Sequence, residues 1–388
     1  MMNSSHEIIL TNANIVLSNE IIYGSVKIQD ACISEIDDEA TSIKNSIDLE
    51  GDFLLPGLIE LHTDNLERHC VPRPSVLWPF RSAVIAHDAE IASAGITTVF
   101  DAIAVGGAML NKDRNTVLID AADAVRDAVT DKVLRVDHYL HMRCEVASTN
   151  VIELFNNFYK EPLVQLVSLM DHTPGERKFV DEAKLKIYYK GKYGLSDSEF
   201  DKMVIERKEL QAKYSKKHRL EISSMCKNIG VTIATHDDAT EAHIKEAITL
   251  GATISEFPTT VAAASAASNA GMSTIMGGPN VVRGGAHSGN ISAADLSDKG
   301  LLDALSSDYV PSSLLYGAFL LSDKQGLSLP DAIATVTRNP ARMANFNDRG
   351  EIKAGLRADL IQVKRCTDGT PIVTVSYTHL TLPTKRIV

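Results

Sequence analysis

Residues 6–55 alternate imperfectly between apolar and polar positions, in runs that turn residues separate. The runs are EIILTNANIVL, SVKIQDACISEI and SIDLEGDFLLPG; the turn residues are Asn19 and Gly24 between the first two runs and Asp30 within the second. An alternation with a period of two predicts short β-strands. The segment DRGEIKAGLRADLIQVKR (348–365) is strand-like again. We therefore expect residues 1–55 and 345–388 to form one small, discontinuous β-domain.

Between residues 56 and 344, strand-like and helix-like segments alternate, which is typical of a parallel barrel or a doubly wound sheet. Eight strands are predicted: LIELHTD (58–64), TTVFDAIA (97–104), LRVDHYLHMRCEV (134–146), VQLVSLMDH (164–172), VTIATHD (231–237), ATISEFP (252–258), STIMGGP (273–279) and LLDALSSD (301–308). Helices are expected between them, for example at residues 79–95, where Gly95 is placed to end the helix. The pattern favours a TIM-type (β/α)8 barrel.

Polar residues recur where these strands end. TIM barrels place their chemistry at the carboxyl ends of the strands, and His62 and Asp64, two residues apart, face the same side of the first strand. The residues that we predict to bind divalent cations are His62, Asp64, Glu145, His172, His236 and Asp308. Nitrogen and oxygen donors without a thiolate suit zinc, with manganese as the other candidate, and either one ion or two.

This inventory also predicts a hydrolytic mechanism. Glu145 is a candidate bridge between two cations, which would activate a water molecule as the nucleophile. Asp308 is the candidate base that accepts the proton of that water and returns it to the leaving group.

The composition changes this picture little. The chain has 388 residues, 44% of them hydrophobic, and a net charge of -11, which argues against nucleic acid as a partner. No apolar run is long enough to cross a bilayer, and the amino terminus does not resemble a signal peptide. The five cysteines are scattered and form no C-x-x-C pair. A cytoplasmic enzyme that acts on a small molecule, and that forms a homo-oligomer, is the expectation.

One stretch departs from the acidic average. Residues 176–219 hold thirteen Lys and Arg residues and eight Asp and Glu residues. A charged helical insertion at about 176–225 explains this balance as a solvated surface. The other interpretation is a lid that attracts a polyanionic substrate.

Several of these motifs resemble the amidohydrolase superfamily. LLPGLIELHTDN followed by ASAGITTVFDA is similar to the entry into that superfamily's barrel, and LPDAIATVTRNPARMANFNDRGEIKAGLRADLIQV is similar to its closing segment. HTDNLERH, HMRCEV, SLMDHTPGERKF, THDDATEAH, EFPTT and GGPNVVRGGAHSGN resemble one branch, the diphosphatases of the carbon–phosphorus lyase pathway. The resemblance implies hydrolysis of a phosphoanhydride bond in a ribose 5-triphosphate, releasing diphosphate and leaving the 5-phosphate.

A triphosphate substrate requires positive charges and hydrogen-bond donors. Arginine side chains can bind phosphate oxygens in pairs, and the backbone of a glycine-rich loop can cradle phosphate. The residues that we predict to bind the substrate are Arg68, His69, Arg143, Lys190, Arg283 and His287, with Lys192 as a further lysine beside Lys190. Each of them has an alternative role in a surface or supporting salt bridge.

The chain departs from the superfamily pattern at two places. The usual His-x-His of the first strand is His62-x-Asp64 here, and Glu256 stands where another histidine is expected. Two other functions therefore stay open. The chain could be an amidohydrolase that cleaves a C–N bond, as a deacetylase or a cyclic-amide hydrolase does. It could also be a non-catalytic scaffold, although such a protein is expected to lose its ligands.

Overall fold

A computed structural model describes residues 7–73, 76–107, 112–177, 185–186, 194–285 and 290–378. Its strands are β1 (Glu7–Val16), β2 (Ile21–Gln29), β3 (Cys32–Asp37), β4 (Ile47–Asp48), β5 (Phe53–Pro56), β6 (Leu58–Thr63), β7 (Ile96–Val105), β8 (Asp137–Glu145), β9 (Val164–Met170), β10 (Thr232–His236), β11 (Ile254–Glu256), β12 (Ser273–Gly277), β13 (Ala304–Ser306), β14 (Leu360–Arg365) and β15 (Pro371–Tyr377).

The helices lie mainly between the strands of the second half of this series. They are α1 (Asn65–Cys70), α2 (Phe80–Ser93), α3 (Lys112–Thr130), α4 (Val151–Asn156), α5 (Asp197–Ile229), α6 (Glu241–Leu250), α7 (Val261–Asn269), α8 (Gly278–Arg283), α9 (Ala293–Asp298), α10 (Ser313–Gln325), α11 (Leu329–Ala334) and α12 (Arg338–Met343).

Both chain ends contribute to the smaller sheet. Its strand order is β15-β14-β5-β1-β2-β3, and β4 pairs with β1. Strand β14 joins the amino-terminal strands through antiparallel pairing with β5, where Ile361 lies opposite Leu55. Gly57 then leads from β5 into the barrel. A Cβ atom at Gly57 would lie 2.2 Å from Oγ1 of Thr97, so this close passage of the two strands requires glycine.

The larger sheet is the barrel. Its eight strands run in the order β13-β12-β11-β10-β9-β8-β7-β6, and each neighbouring pair is parallel. The first and last strands meet at their carboxyl ends, where Thr63 and Asp308 form a parallel bridge and the backbone N–H of Asp64 donates to the carbonyl of Asp308 over 2.7 Å. The prediction of a TIM-type barrel with a discontinuous β-domain is confirmed.

The barrel interior is apolar at the amino-terminal end of its strands. The cluster there consists of Ile59, Leu61, Phe100, Leu166, Ala234, Ile254, Ile275, Ala304 and Ala341. Met343 and Phe346, just after the closing segment of the barrel, pack against this cluster. Beside this cluster, Arg349 donates to Thr98 over 3.0 Å and to Asp137 over 2.7 Å at the start of β7 and β8. The polar side chains of the predicted site lie at the opposite end of the barrel, the mouth.

Glu60 holds the junction between the first and last strands. Its carboxylate is fully buried and accepts a hydrogen bond from the backbone N–H of His62 over 2.6 Å and another from the backbone N–H of Ser307. Burial raises the pKa of Glu60. The side chain thus pairs two buried backbone donors at the junction.

The charged segment at 176–225 contains α5, the helix that connects β9 to β10. Two arginines of the 176–225 segment form ion pairs, largely shielded from solvent, with acidic residues that follow barrel strands. Arg177 pairs with Asp238, and Arg219 pairs with Asp171 over 2.9 Å. Arg219 lies on α5 and anchors that helix to the barrel, whereas Arg177 precedes the helix and binds Asp238 just after β10. Both charges are therefore used inside the protein. Within the part of the chain described, no helix combines the length and apolar character needed to cross a membrane.

Replacing Glu60 tests its role in closing the barrel. Glu60→Ala leaves two buried N–H groups without an acceptor, so we expect a loss of roughly 2–4 kcal/mol in the free energy of unfolding. Glu60→Gln keeps one acceptor and should lose about half as much. Denaturant unfolding measures both values. Glu35→Gln, on an exposed position of β3, is the control, and an unfolding free energy for Glu60→Ala equal to that of the control would contradict this role.

Candidate metal centre

Strand β8 presents three polar side chains to the barrel interior. His141, Arg143 and Glu145 follow one another at a spacing of two, which places them on one face. The other face packs in the apolar layer outside the barrel and carries Leu140, Met142 and Cys144. One strand therefore brings an imidazole, a guanidinium and a carboxylate to the mouth.

Glu145 begins a chain of contacts that crosses the mouth. Its Oε2 atom lies 2.6 Å from Nδ1 of His172, and its Oε1 atom accepts from the backbone N–H of the same histidine over 3.1 Å. Oδ2 of Asp237 lies 3.9 Å from Nε2 of His172 and 3.5 Å from Nε2 of His236. One ligand atom each from these last three residues lies within 4.8 Å of the others. Their separation and chemistry fit a divalent cation.

Glu256 joins His62 and His236 of the mouth. Its carboxylate is completely buried, with Oε1 3.2 Å from Nδ1 of His62 and Oε2 3.2 Å from Nδ1 of His236. The two imidazole rings stack with their centroids 5.6 Å apart. A carboxylate that binds Nδ1 sets the ring orientation and leaves Nε2 for a metal ion. Glu256 is thus placed to orient two ligands.

The protonation states of His141, His236 and Glu256 also suit a cation. Burial lowers the pKa of His236, and burial lowers the pKa of His141 to about 3. Both rings are therefore neutral at pH 7, which is the form that coordinates metals. Burial opposes ionisation of Glu256, but the charges and hydrogen bonds of the surrounding histidines outweigh it and keep the pKa of Glu256 well below its usual value. For His62, burial is outweighed by the charge of Glu256, which raises its pKa.

Asp64 and Asp308 lie together where the barrel closes. The carboxylate of Asp64 forms an ion pair with Arg143. The carbonyl of Asp308 accepts from the backbone N–H of Asp64 over 2.7 Å and from Oγ1 of Thr63 over 3.1 Å. The Asp308 side chain is partly exposed at this edge of the mouth.

Three residues at the strand ends have a left-handed backbone. The φ angles are 55° at Asp237, 51° at Phe257 and 55° at Asp308. Side chains other than glycine adopt this region rarely, and such residues concentrate at functional sites. The backbone N–H of Asp237 donates to the carbonyl of Glu256 over 2.9 Å, which stabilises the turn. These turns redirect the chain just as it leaves the barrel.

The structure brings the predicted metal ligands to one end of the barrel. His62, Glu145, His172 and His236 are linked by the contacts through Glu256 and Asp237. Asp64 and Asp308 lie at the adjacent junction between β6 and β13. Their coordination of an ion stays a prediction.

The predicted substrate-binding residues are more widely distributed. Arg143 lies at the mouth. Arg68 donates to Glu90 over 2.6 and 2.9 Å, and Nε2 of His69 lies 2.7 Å from the same carboxylate. Arg283 is exposed at the end of α8. The other three candidates, Lys190, Lys192 and His287, lie outside the described residues.

The sequence interpretation assigned no role to three residues of this centre. His141 shares the face of Arg143 and Glu145, so the spacing in β8 was a usable signal. Asp237 follows His236 directly, and its carboxylate points toward the histidines because the backbone of Asp237 is left-handed. Glu256 was recognised as a polar strand end, but its contact with two histidines depends on the closed barrel.

Comparison with known proteins agrees with this architecture. A family model described as the amidohydrolase family matches residues 210–370. The α-D-ribose 1-methylphosphonate 5-triphosphate diphosphatase of Escherichia coli (strain K12) is 44% identical over 359 residues, covering 92% of this chain and 95% of the relative.

Solved structures show the same fold at low sequence identity. N-acetyl-D-glucosamine-6-phosphate deacetylase from Mycobacterium smegmatis has a TM-score of 0.65 at 15% identity, covering 98% of this chain and 100% of that one. Dihydropyrimidinase from Brevibacillus agri NCHU1002 has a TM-score of 0.62 at 11% identity, covering 96% and 94%.

Glu256 offers a direct test of the metal centre. Because Glu256→Ala removes the group that orients His62 and His236, we expect divalent-metal affinity to fall about 10–100-fold. Metal content after dialysis against a graded chelator series measures this affinity. Glu241→Gln, at an exposed position of α6, is the matched control. Equal metal retention in the two variants would show that Glu256 has no part in metal binding.

Proposed function

We propose a function from the premise that this chain belongs to the amidohydrolase family. The protein is a metal-dependent diphosphatase that hydrolyses the triphosphate of α-D-ribose 1-methylphosphonate 5-triphosphate. The reaction releases diphosphate and leaves the 5-phosphate. The assignment draws on the E. coli relative, which matches 92% of this chain at 44% identity.

The observation that carries the proposal is the position of Arg143 within the histidine and carboxylate centre. Its guanidinium pairs with Asp64, and its charge acts on the neighbouring His62. A guanidinium can bind two phosphate oxygens at once. Because Arg143 contacts the proposed ligand Asp64, a phosphate that it binds would lie beside the metal centre, which favours a phosphoanhydride over a C–N bond as the bond that is cleaved.

The residues of the mouth fit a divalent metal ion. The donors are imidazole nitrogens and carboxylate oxygens, and Glu256 holds two of the rings by Nδ1. We propose zinc, with manganese as the second candidate, held by His62, Asp64, Glu145, His172, His236 and Asp308 as one ion or two. When bound, such an ion polarises a phosphoryl oxygen and makes a water molecule more acidic.

Asp308 is the proposed catalytic base. Its backbone is fixed next to Asp64 by the hydrogen bond at the barrel junction. A carboxylate here can take a proton from the attacking water and deliver it toward the leaving diphosphate. Water adds at phosphorus, the bridging P–O bond between the α- and β-phosphates breaks, and the diphosphate departs with that bond's electron pair.

The remaining assignments concern the triphosphate and the surroundings of the enzyme. We propose that Arg143 binds a phosphate at the mouth, and that Arg283, His287 and Lys190 contact the rest of the chain of phosphates. Arg68 and His69 reach the substrate only if they exchange their contact with Glu90 for one with phosphate. A cytoplasmic location and a homo-oligomeric state also stay predictions.

Product analysis tests the reaction itself. Metal-loaded protein is incubated with the ribose 5-triphosphate, and the phosphorus products are separated and counted. We expect one diphosphate per substrate consumed. Release of orthophosphate alone, or no turnover at any metal concentration, would contradict the proposed function.

Replacing Asp308 tests the base. Asp308→Asn keeps the shape of the side chain but cannot accept the proton, so kcat should fall roughly 10²–10⁴-fold. The bound metal should stay within the range of the unaltered protein if Asp308 acts mainly as the base. Asp298→Asn, on the exposed end of α9, is the control. A kcat for Asp308→Asn close to that of the control would rule out this role.

A further inference from the structure

A second polar cluster lies outside the barrel, buried between the strands and helix α2. Asp101 on β7 and His138 on β8 point away from the interior, and His87 on α2 meets them there. All three side chains are fully buried. Oδ1 of Asp101 lies 2.7 Å from Nε2 of His87, and Oδ2 lies 2.7 Å from Nδ1 of His138. The proposed reaction uses none of these groups.

The cluster continues from His138 to a second carboxylate. Nε2 of His138 lies 3.4 Å from Oδ1 of Asp88, and this carboxylate also accepts from the side chain of Arg135 over 2.7 Å. It accepts as well from the backbone N–H groups of Arg135 and Val136, over 2.8 and 3.2 Å. Asp88 is therefore well supplied with donors.

The protons of the cluster can be placed from these contacts. Burial lowers the pKa of His87, so this ring is neutral and donates from Nε2 to Asp101. Burial also opposes the charge on His138, but Asp101 and Asp88 outweigh it and raise the pKa of His138 to about 9. Two carboxylates then face two cations, His138 and Arg135. Although three ligand atoms lie close enough to hold a metal ion, the charges balance without one.

His87 also connects this cluster to the mouth. With its proton on Nε2, its Nδ1 atom accepts from Nδ2 of Asn65 over 3.0 Å. Asn65 is the first residue of α1 and follows Asp64 directly. Its Nδ2 atom also lies 3.0 Å from Oε2 of Glu90. The hydrogen bond to His87 joins the start of α1 to helix α2 and, through Asp101, to the barrel wall.

We propose that His87 is a positioning residue: its Nδ1 atom, left free to accept because Nε2 donates to Asp101, binds Asn65 and thereby holds Asp64, together with the start of α1, in place at the barrel mouth. This inference rests on the proposed function, in which Asp64 is a metal ligand. The chain of contacts runs from His138 through Asp101 and His87 to Asn65, all within buried structure. Because Asp64 also pairs with Arg143, a displacement of α1 disturbs both a metal ligand and a phosphate-binding group.

Two isosteric variants separate the two hydrogen bonds of His87. In His87→Asn, the amide oxygen takes the place of Nδ1 and can still accept from Asn65, while the bond to Asp101 is lost. In His87→Gln, the amide nitrogen takes the place of Nε2 and can still donate to Asp101, while the acceptor for Asn65 is lost. Val125→Ala, in the same outer apolar layer on α3, controls for loss of stability without touching the cluster.

The variants are compared as full-length, metal-loaded protein, with activity expressed per folded molecule. Misplaced supporting groups reduce turnover about 10–100-fold. We expect kcat/KM to fall by at least about 10-fold in His87→Gln and by less than about 3-fold in His87→Asn and Val125→Ala. Equal values for the two His87 variants, whether both high or both low, would overturn the proposal.

Amide hydrogen exchange at residues 65–70 gives a readout that does not depend on activity. The amides of α1 should exchange faster in His87→Gln than in His87→Asn, which should match the unaltered protein. If the unaltered protein releases no diphosphate, the proposed function has failed, and this exchange still decides whether His87 holds α1. Unchanged exchange in His87→Gln would overturn the positioning role.

Metal analysis excludes the remaining explanation. The unaltered protein and both His87 variants are dialysed and their metal content is measured. We expect equal stoichiometry in all three. The loss of one equivalent per chain in both variants would identify the cluster as a metal site and would overturn the hydrogen-bonded arrangement proposed above.

Discussion

Closure of the barrel between β6 and β13 is the constraint on which the site depends. His62 and Asp64 lie at one end of the sheet and Asp308 at the other, so they share a mouth only when these strands meet. The junction has little ladder pairing, and its bonds are specific: Thr63 bridges Asp308, and Glu60 accepts from backbone groups on both sides. A buried carboxylate is a demanding way to satisfy two N–H groups. Glu60 lies where a shift of β6 by one residue relative to β13 would separate His62 and Asp64 from Asp308, the proposed base.

Once the barrel is closed, the geometry of the proposed metal centre depends on how the imidazole rings of its ligands are oriented. Glu256 occupies a position where the superfamily pattern places a histidine, yet both of its oxygens are used by Nδ1 atoms of other histidines. The carboxylate thereby fixes two rings with a single side chain. Ser168 donates to its Oε2 over 2.5 Å, which holds the carboxylate in turn. The carboxylate at this position therefore supports two neighbouring histidines.

Much of this arrangement could be predicted from the order of residues alone. All eight barrel strands were placed, because each combines a short apolar run with a polar end. The six proposed ligands lie at the mouth, and their binding of a metal stays a prediction. Alternation could also have identified His141, which shares a face with Arg143 and Glu145. Asp237 could not be found in this way, since its orientation depends on a left-handed turn. The contact of Arg68 and His69 with Glu90 could not be predicted either, because it forms only when α2 packs beside α1.

The two faces of β8 show how the outer layer can influence chemistry inside the barrel. Odd-numbered positions carry His141, Arg143 and Glu145 into the mouth, whereas His138 faces outward to Asp101. Strands β7 and β8 are paired along their length, so the outer cluster and the inner site are built on the same backbone. A charge-balanced cluster in a dry layer has few alternative arrangements, because each broken hydrogen bond leaves a buried polar group unpaired. The outer cluster therefore restricts the movement of β7 and β8, and with it the positions of the side chains that β8 carries into the mouth.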